Sequence, residues 1–329
     1  GRVQGRARPQ AGTAYSENRP CRPMPNRYSS ALALFLLSGA CLSVLDASGK
    51  WVVSSSGLLL LLWFRFSGQV LMALTMGLRK EGLALFHTHR PGLQLLRSVL
   101  LIVTSLLFFA GVQYLPLAEA SAIAFTGPLW VVLLSWKLLQ EPVNAVDRWA
   151  TYIGFAGILF IVRPGTDVFH PAALLLLGMA IANALYQLLT RRLVSDSALT
   201  TFFYSGLVGF VITTGLLFVL PIPTELPTVA WPVLALVGLL GGLGHVLLIQ
   251  AFYQAPASSL SPFVYLQMIW ATSLGWLIFD QLPDGLTFVG MGIIALSGSL
   301  IVVYRRSAKA RGTNAGAAQA DPTAVRPEG

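Results

Sequence analysis

Charge is scarce in this sequence: Asp, Glu, Lys and Arg make up 11% of 329 residues, against 55% hydrophobic ones. A soluble domain carries roughly 25% charge, so a water-soluble globule is excluded for want of polar surface. Mean hydropathy of +0.70 over the whole chain also excludes a single anchor on a soluble body. Cysteine is nearly absent. Cys21, in a polar N-terminal stretch, and Cys41, in the first apolar run, are too few and too differently placed for a disulfide framework. HExxH, CxxC and GxxxxGK[ST] are missing, which removes the common signals of zinc hydrolysis, dithiol chemistry and ATP-driven transport within the chain. The one histidine pair at ligand-like spacing, His87 and His89 in FHTHRPG, falls in a basic loop. No metal, cofactor or catalytic residue is predicted.

Apolar runs long enough to cross roughly 30 Å of hydrocarbon are abundant. They fall at 30–50, 57–78, 93–113, 118–138, 146–163, 172–192, 199–219, 232–252, 258–279 and 285–304. Lys and Arg gather on one side of these runs: the N-terminal arginines, Arg79, Lys80, Arg90, Arg97, Lys137, Arg148, Arg191, Arg192 and the C-terminal group from Arg305 to Arg326. Only Lys50 and Arg163 fall on the other side. The net charge of +9 therefore reflects membrane orientation rather than nucleic-acid binding, and predicts that both termini are cytoplasmic. Residues 1–29 and 307–329, rich in Arg, Pro, Gly and Ala, are predicted to be disordered cytoplasmic tails. Residues 1–23 read as an extension upstream of a start at Met24, or as a transit peptide.

The chain resembles itself. At an offset of 140 residues Pro116 falls on Pro256, Ser121 on Ser261, Phe125 on Tyr265, Trp130 on Trp270 and Trp136 on Trp276. At 141, Lys50 meets Arg191, Trp63 meets Tyr204 and Gly157 meets Gly298. The predicted fold is all-α and polytopic, with ten transmembrane helices in two units, 30–165 and 166–306. Five crossings per unit is an odd number, so the second unit enters the bilayer from the opposite face and the repeats are inverted, the arrangement that underlies alternating access.

The residues AEASAIAFTGPLWVVLLSWKLLQEP (Ala118–Pro142) and GFAGILFIVRPG (Gly154–Gly165), with APASSLSPFVYLQMIWATSLGWLIFDQLPDG in the second half, resemble the EamA unit of the drug/metabolite transporter superfamily. The resemblance covers about Ser30 to Arg306. It implies a central cavity lined by spans 1–4 and 6–9, with spans 5 and 10 peripheral, and a secondary transporter of a small organic metabolite in the inner (cell) membrane. GHVLLIQAFYQAPAS (Gly244–Ser258) is most similar to the branch containing S-adenosylmethionine carriers, which leans the expected solute towards an amino-acid-like, carboxylated or zwitterionic one. One position departs from the family pattern: Glu141 in the first half is matched by Gln281 in the second.

Arg65 is the charged residue hardest to place in lipid. It lies about eight residues, roughly 12 Å, into its span, where a central arginine costs about 2.5–3.5 kcal/mol. Its planar fork suits a substrate carboxylate; alternatively it pairs with Asp46 or a backbone carbonyl and holds spans together. Asp46 and Lys50 stand one helical turn apart, and form either a structural ion pair or a coupling site at which Asp46 takes up a proton. Glu119 is the other acid near that face. Trp130, His245, Tyr265, Gln267 and Trp270 fall near mid-membrane, where interface belts do not explain aromatics; they read as pocket wall or helix packing. Tyr186 and Tyr204 read as gate or belt residues. Pro128 and Pro262 free backbone carbonyls and can mark hinges. Expected partners are the lipid bilayer, a small-molecule solute and coupling protons, with no nucleic acid. A non-transporting receptor or assembly factor on the same scaffold is the alternative from another class.

Overall fold

The structure, a computed structural model, describes residues 25–139, 145–165, 169–193, 195–221, 223, 225–255 and 260–319. In lipid each backbone N–H and C=O must find its partner within the segment, so long apolar runs fold as helices. They are α1 (Pro25–Ser56), α2 (Leu58–Glu81), α3 (Pro91–Val112), α4 (Leu117–Ala124), α5 (Gly127–Leu139), α6 (Ala145–Val162), α7 (Ala172–Arg191), α8 (Ala198–Leu217), α9 (Ala230–Gln254), α10 (Gln267–Phe279) and α11 (Gly285–Gln319). Among the described residues nine segments are long and apolar enough to cross a membrane, and Phe263–Phe279 is a shorter apolar helix.

Two of the ten predicted spans are interrupted. The fourth breaks at Phe125–Thr126 into α4 and α5, with Thr126 Oγ1 donating to the Ile123 carbonyl at 2.7 Å. Pro128, the second residue of α5, has no N–H to continue the α4 ladder. The ninth opens as a 3-10 turn, Ser261–Leu266, before α10. Gly127 and Gln267, the first residues of α5 and α10, occupy equivalent places in the two repeats. Helix α1 starts at Pro25 and α11 runs to Gln319. Glu141 lies outside the described residues.

Helix packing follows the repeat. Helix α1 packs along α9, and its counterpart α7 packs along α3; α2 lies against α8, α4 against α10 and α6 against α11. Each of these contacts joins one half to the other, and every pairing maps onto itself or onto its mate when the halves are exchanged. Helices α6 and α11, spans 5 and 10, meet side by side and touch the broken spans 4 and 9.

Small residues allow the closest crossings. A Cβ on Gly238 of α9 would stand 2.7 Å from the Phe64 carbonyl oxygen of α2, and one on Gly242 2.9 Å from that of Gly68. At the α6–α11 crossing a Cβ on Gly290 would come within 2.6 Å of the Gly157 carbonyl. Backbone-to-backbone approach of this kind supplies dispersion contact where lipid offers no hydrophobic drive.

Candidate functional site

Five helices bring charge or hydrogen-bonding capacity into the bundle: α1 with Asp46, α2 with Arg65 and Gln69, α3 with Arg97, α7 with Tyr186 and α9 with His245. Arg65 is the eighth residue of α2. Its Nε and Nη1 are enclosed and have no hydrogen-bond partner, although Asp46 and Tyr186 lie within electrostatic reach. Its guanidinium carbon stands 5.5 Å from the centroid of the Phe66 ring. Asp46 acts on Arg65 through space without a direct ion pair. One turn along α2, the side chain of Gln69 is buried; its Nε2 donates to the Phe202 carbonyl at 3.3 Å and its Oε1 is unpartnered.

His245 faces Phe202, ring centroids 5.8 Å apart and nearly parallel, and feels the charges of Arg65 and Arg97. Its Nδ1 lies 2.9 Å from the Gly241 carbonyl oxygen. A carbonyl only accepts, so Nδ1 carries the proton and Nε2 is left as an acceptor. Arg65, His245, Asp46 and Tyr186, all singled out in the sequence, therefore converge. Arg97 and Gln69 join them without having been singled out.

The remaining predicted residues take other positions. Trp130 stands edge-on to Phe155 of α6, centroids 4.7 Å apart, with its indole N–H unpartnered. The Tyr265 hydroxyl is lodged against Gly298 of α11 and also lacks a partner. Gln267 lies beside Gly39 of α1, and Trp270 is exposed. Tyr204 donates its hydroxyl to the Phe86 carbonyl at 2.8 Å, tying α8 to the turn after α2. Lys50 does not pair with Asp46. It donates to the Leu115 carbonyl and to Gln281 Oε1, the latter at 3.2 Å, and lies over the Phe279 ring. A loop carbonyl at the end of the span satisfies the ammonium without requiring a second buried charge.

Polar ties join the two halves at both ends of the bundle. At the end holding Lys50, Arg163 pairs with Asp284 at 2.5 Å, and Asp284 caps α11 by accepting from the Thr287 N–H at 2.9 Å. Hydrogen bonds from Arg163 and then Thr287 hold the Asp284 carboxyl at about 2. Glu119 feels the charges of Asp284, Arg163 and Lys50.

At the basic end, the fully covered carboxylate of Asp196 accepts from Thr88 Oγ1 at 2.5 Å, His89 Nδ1 at 2.9 Å, Gln94 Nε2 at 2.9 Å and the His89 backbone N–H at 3.1 Å. Burial would push its carboxyl up, but hydrogen bonds from Thr88, His89 and Gln94 outweigh this and hold it well below the ordinary range. Ser197 caps α8 and donates to Glu81 Oε2 at 2.8 Å. His87 and His89 meet edge to face, and among the described residues no group of three His, Cys, Asp or Glu side chains could hold a metal.

Comparison with known proteins places these features in context. Residues 29–163 and 170–303 each match the EamA-like transporter family. The S-adenosylmethionine uptake transporter of Rickettsia prowazekii (strain Madrid E) is 28% identical over 285 residues, covering 84% of this chain and 93% of the relative. The riboflavin transporter of Vibrio cholerae is 31% identical over 245 residues, 73% of this chain and 80% of the relative. The pseudopaline exporter CntI of Pseudomonas aeruginosa is 28% identical over 278 residues, with 82% and 94% covered. A protein of known crystal structure shares the fold, with a TM-score of 0.60 at 18% identity over 83% of this chain and 96% of its own.

Proposed function

The chain belongs to the EamA-like transporter family, and from that premise we propose that it is a secondary carrier of a carboxylated, amino-acid-like or zwitterionic metabolite. Its inverted halves alternate in exposing the interior to either side of the cell's inner membrane, with both termini cytoplasmic. Similarity to proteins named for uptake of S-adenosylmethionine, for riboflavin and for export of pseudopaline supports small-molecule transport and spans both directions.

One observation carries the choice of solute: two N–H groups of Arg65 are enclosed and unpartnered. A buried guanidinium left short of acceptors is costly, and an anionic carboxylate oxygen is the acceptor that satisfies it most strongly. Asp46, near Arg65 but not bonded to it, is placed to receive the ammonium of a zwitterion or to carry a coupling proton. His245 Nε2 and Gln69 Oε1 supply acceptors for the remaining polar groups.

Reconstituted vesicles test this. Arg65→Gln should abolish, and Arg65→Lys weaken, counterflow of a carboxylated solute, with little effect on its carboxamide. Unchanged apparent affinity in both variants would remove Arg65 from recognition. Collapsing the proton gradient tests Asp46: transport indifferent to an ionophore would eliminate proton coupling.

A further inference from the structure

Arg97 is a buried cation without an acid at its side. In α3 it is 5% exposed, and every direct partner is neutral. Nε donates to Thr190 Oγ1 at 2.6 Å, Nη1 to the Thr201 carbonyl at 3.3 Å and to Ser205 Oγ, and Nη2 to the Tyr186 hydroxyl at 2.5 Å. The hydroxyls it meets on Thr190 and Ser205 spend their own hydrogens on the Tyr186 and Thr201 carbonyls, each at 2.7 Å. They can therefore only accept from Arg97. The guanidinium carbon also stands 4.2 Å from the centroid of the Tyr186 ring. One side chain thus fixes both the plane and the hydroxyl of that tyrosine.

Consider what this leaves on Tyr186. Its oxygen accepts from a cation, so its hydrogen must point away from Arg97, and no acceptor among the described residues receives it. Such a phenol is a stronger donor than a free one, because the cation polarises the O–H bond. The same residue is within electrostatic reach of Arg65, whose Nε and Nη1 are likewise unspent. We propose that Tyr186 is a direct ligand of the solute's carboxylate, donating its O–H beside the Arg65 fork, and that Arg97 is the positioning residue that aims it.

This inference rests on the reading that Arg65 receives the carboxylate, and it adds a second donor residue to that reading. Tyr186 then acts as a recognition residue rather than solely as a gate or a belt aromatic. Arg97 contributes without touching the solute: it spans α7, through Tyr186 and Thr190, and α8, through Thr201 and Ser205. Loss of the O–H should penalise a carboxylate far more than a neutral amide, since hydrogen bonds to charged groups are the strong ones.

The test uses the full chain in lipid vesicles, with methionine and S-adenosylmethionine as probes, each set against its carboxamide. The ratio of apparent affinities for acid and amide is the readout. Tyr186→Phe keeps the ring beneath the guanidinium and should cut that ratio by about 10-fold or more, leaving amide affinity within about twofold. Arg97→Lys should lower the ratio in the wild-type background but not in the Tyr186→Phe background, whereas any loss of thermal stability should appear in both. A ratio that survives Tyr186→Phe but collapses in Arg65→Gln overturns the proposal and leaves the Arg65 reading standing. So does a further fall when Arg97→Lys is added to Tyr186→Phe. If the wild type prefers no acid over its amide, both fall.

Discussion

Replacing Asp196 with alanine should uncouple the two halves at the basic end, and the geometry sets the scale. The carboxylate accepts four hydrogen bonds from Thr88, His89 and Gln94, all in the first half of the chain. His89 is largely exposed and can turn to water. Gln94 is 1% exposed, so its amide loses one of its two acceptors, Thr201 Oγ1 being the other. Losing a charge-assisted bond and leaving a buried donor short together cost about 2–4 kcal/mol. The sign with pH follows from the depressed carboxyl. Its stabilisation is complete above the unfolded value of about 3.9 and drains away as pH falls from there towards the lower folded value. Melting curves in detergent, followed by tryptophan fluorescence, should show Asp196→Ala several degrees below wild type at pH 7, with the gap narrowing at pH 3. Asp196→Asn should fall between them and lose this part of the pH dependence. A gap that is absent at pH 7, or that persists unchanged at pH 3, would refute the account of Asp196 as a tie between halves.

Other perturbations separate packing from charge. Gly290→Leu should prevent α6 and α11 from closing and lower the melting temperature strongly, whereas Gly292→Leu, with nothing within 4 Å of its added Cβ, should be tolerated; equal melting of the two would contradict the crossing described. Arg163→Ala should cost only about 0.5–1 kcal/mol, because Asp284 is 55% exposed and the pair is partly screened. That loss should shrink as pH falls from about 4 towards 2, where about half of wild-type Asp284 is itself protonated. Lys50→Met cuts the tie from Leu115 to Gln281. It should raise several-fold the rate at which a cysteine placed at Leu115 reacts with an impermeant maleimide, and an unchanged rate would mean the tie does not close that end.

Hydropathy and self-similarity made the spans, the duplication and the inversion legible, because both depend on composition summed over some 20 residues. Finer features depend on which partners the fold supplies. Arg97 sits in RPGLQLLRSVL, where position alone reads as a basic flank; its partners Tyr186, Thr190, Thr201 and Ser205 lie on other helices, and no local spacing announces them. Lys50 shows the converse. Its four-residue distance from Asp46 suggests a pair, yet a loop carbonyl and Gln281 claim it instead. The break in the fourth span was foreshadowed by Pro128, whereas the 3-10 turn in the ninth carries Pro262 well before its junction with α10. Tyr265 and Trp270 were marked by depth alone, and depth does not tell which way a ring turns.

The crossing of α2 over α9 has a mechanical consequence. Where Gly68 meets Gly238 and Gly242, the two halves touch main chain to main chain, so at that point few rotamers need resetting when one surface moves past the other. A joint of that sort behaves as a plain bearing: it resists separation, through many weak contacts at short range, yet offers little friction to a small slide. A single methyl added at Gly238 would act as a detent, and its effect would appear as a slower carrier before it appeared as a weaker one.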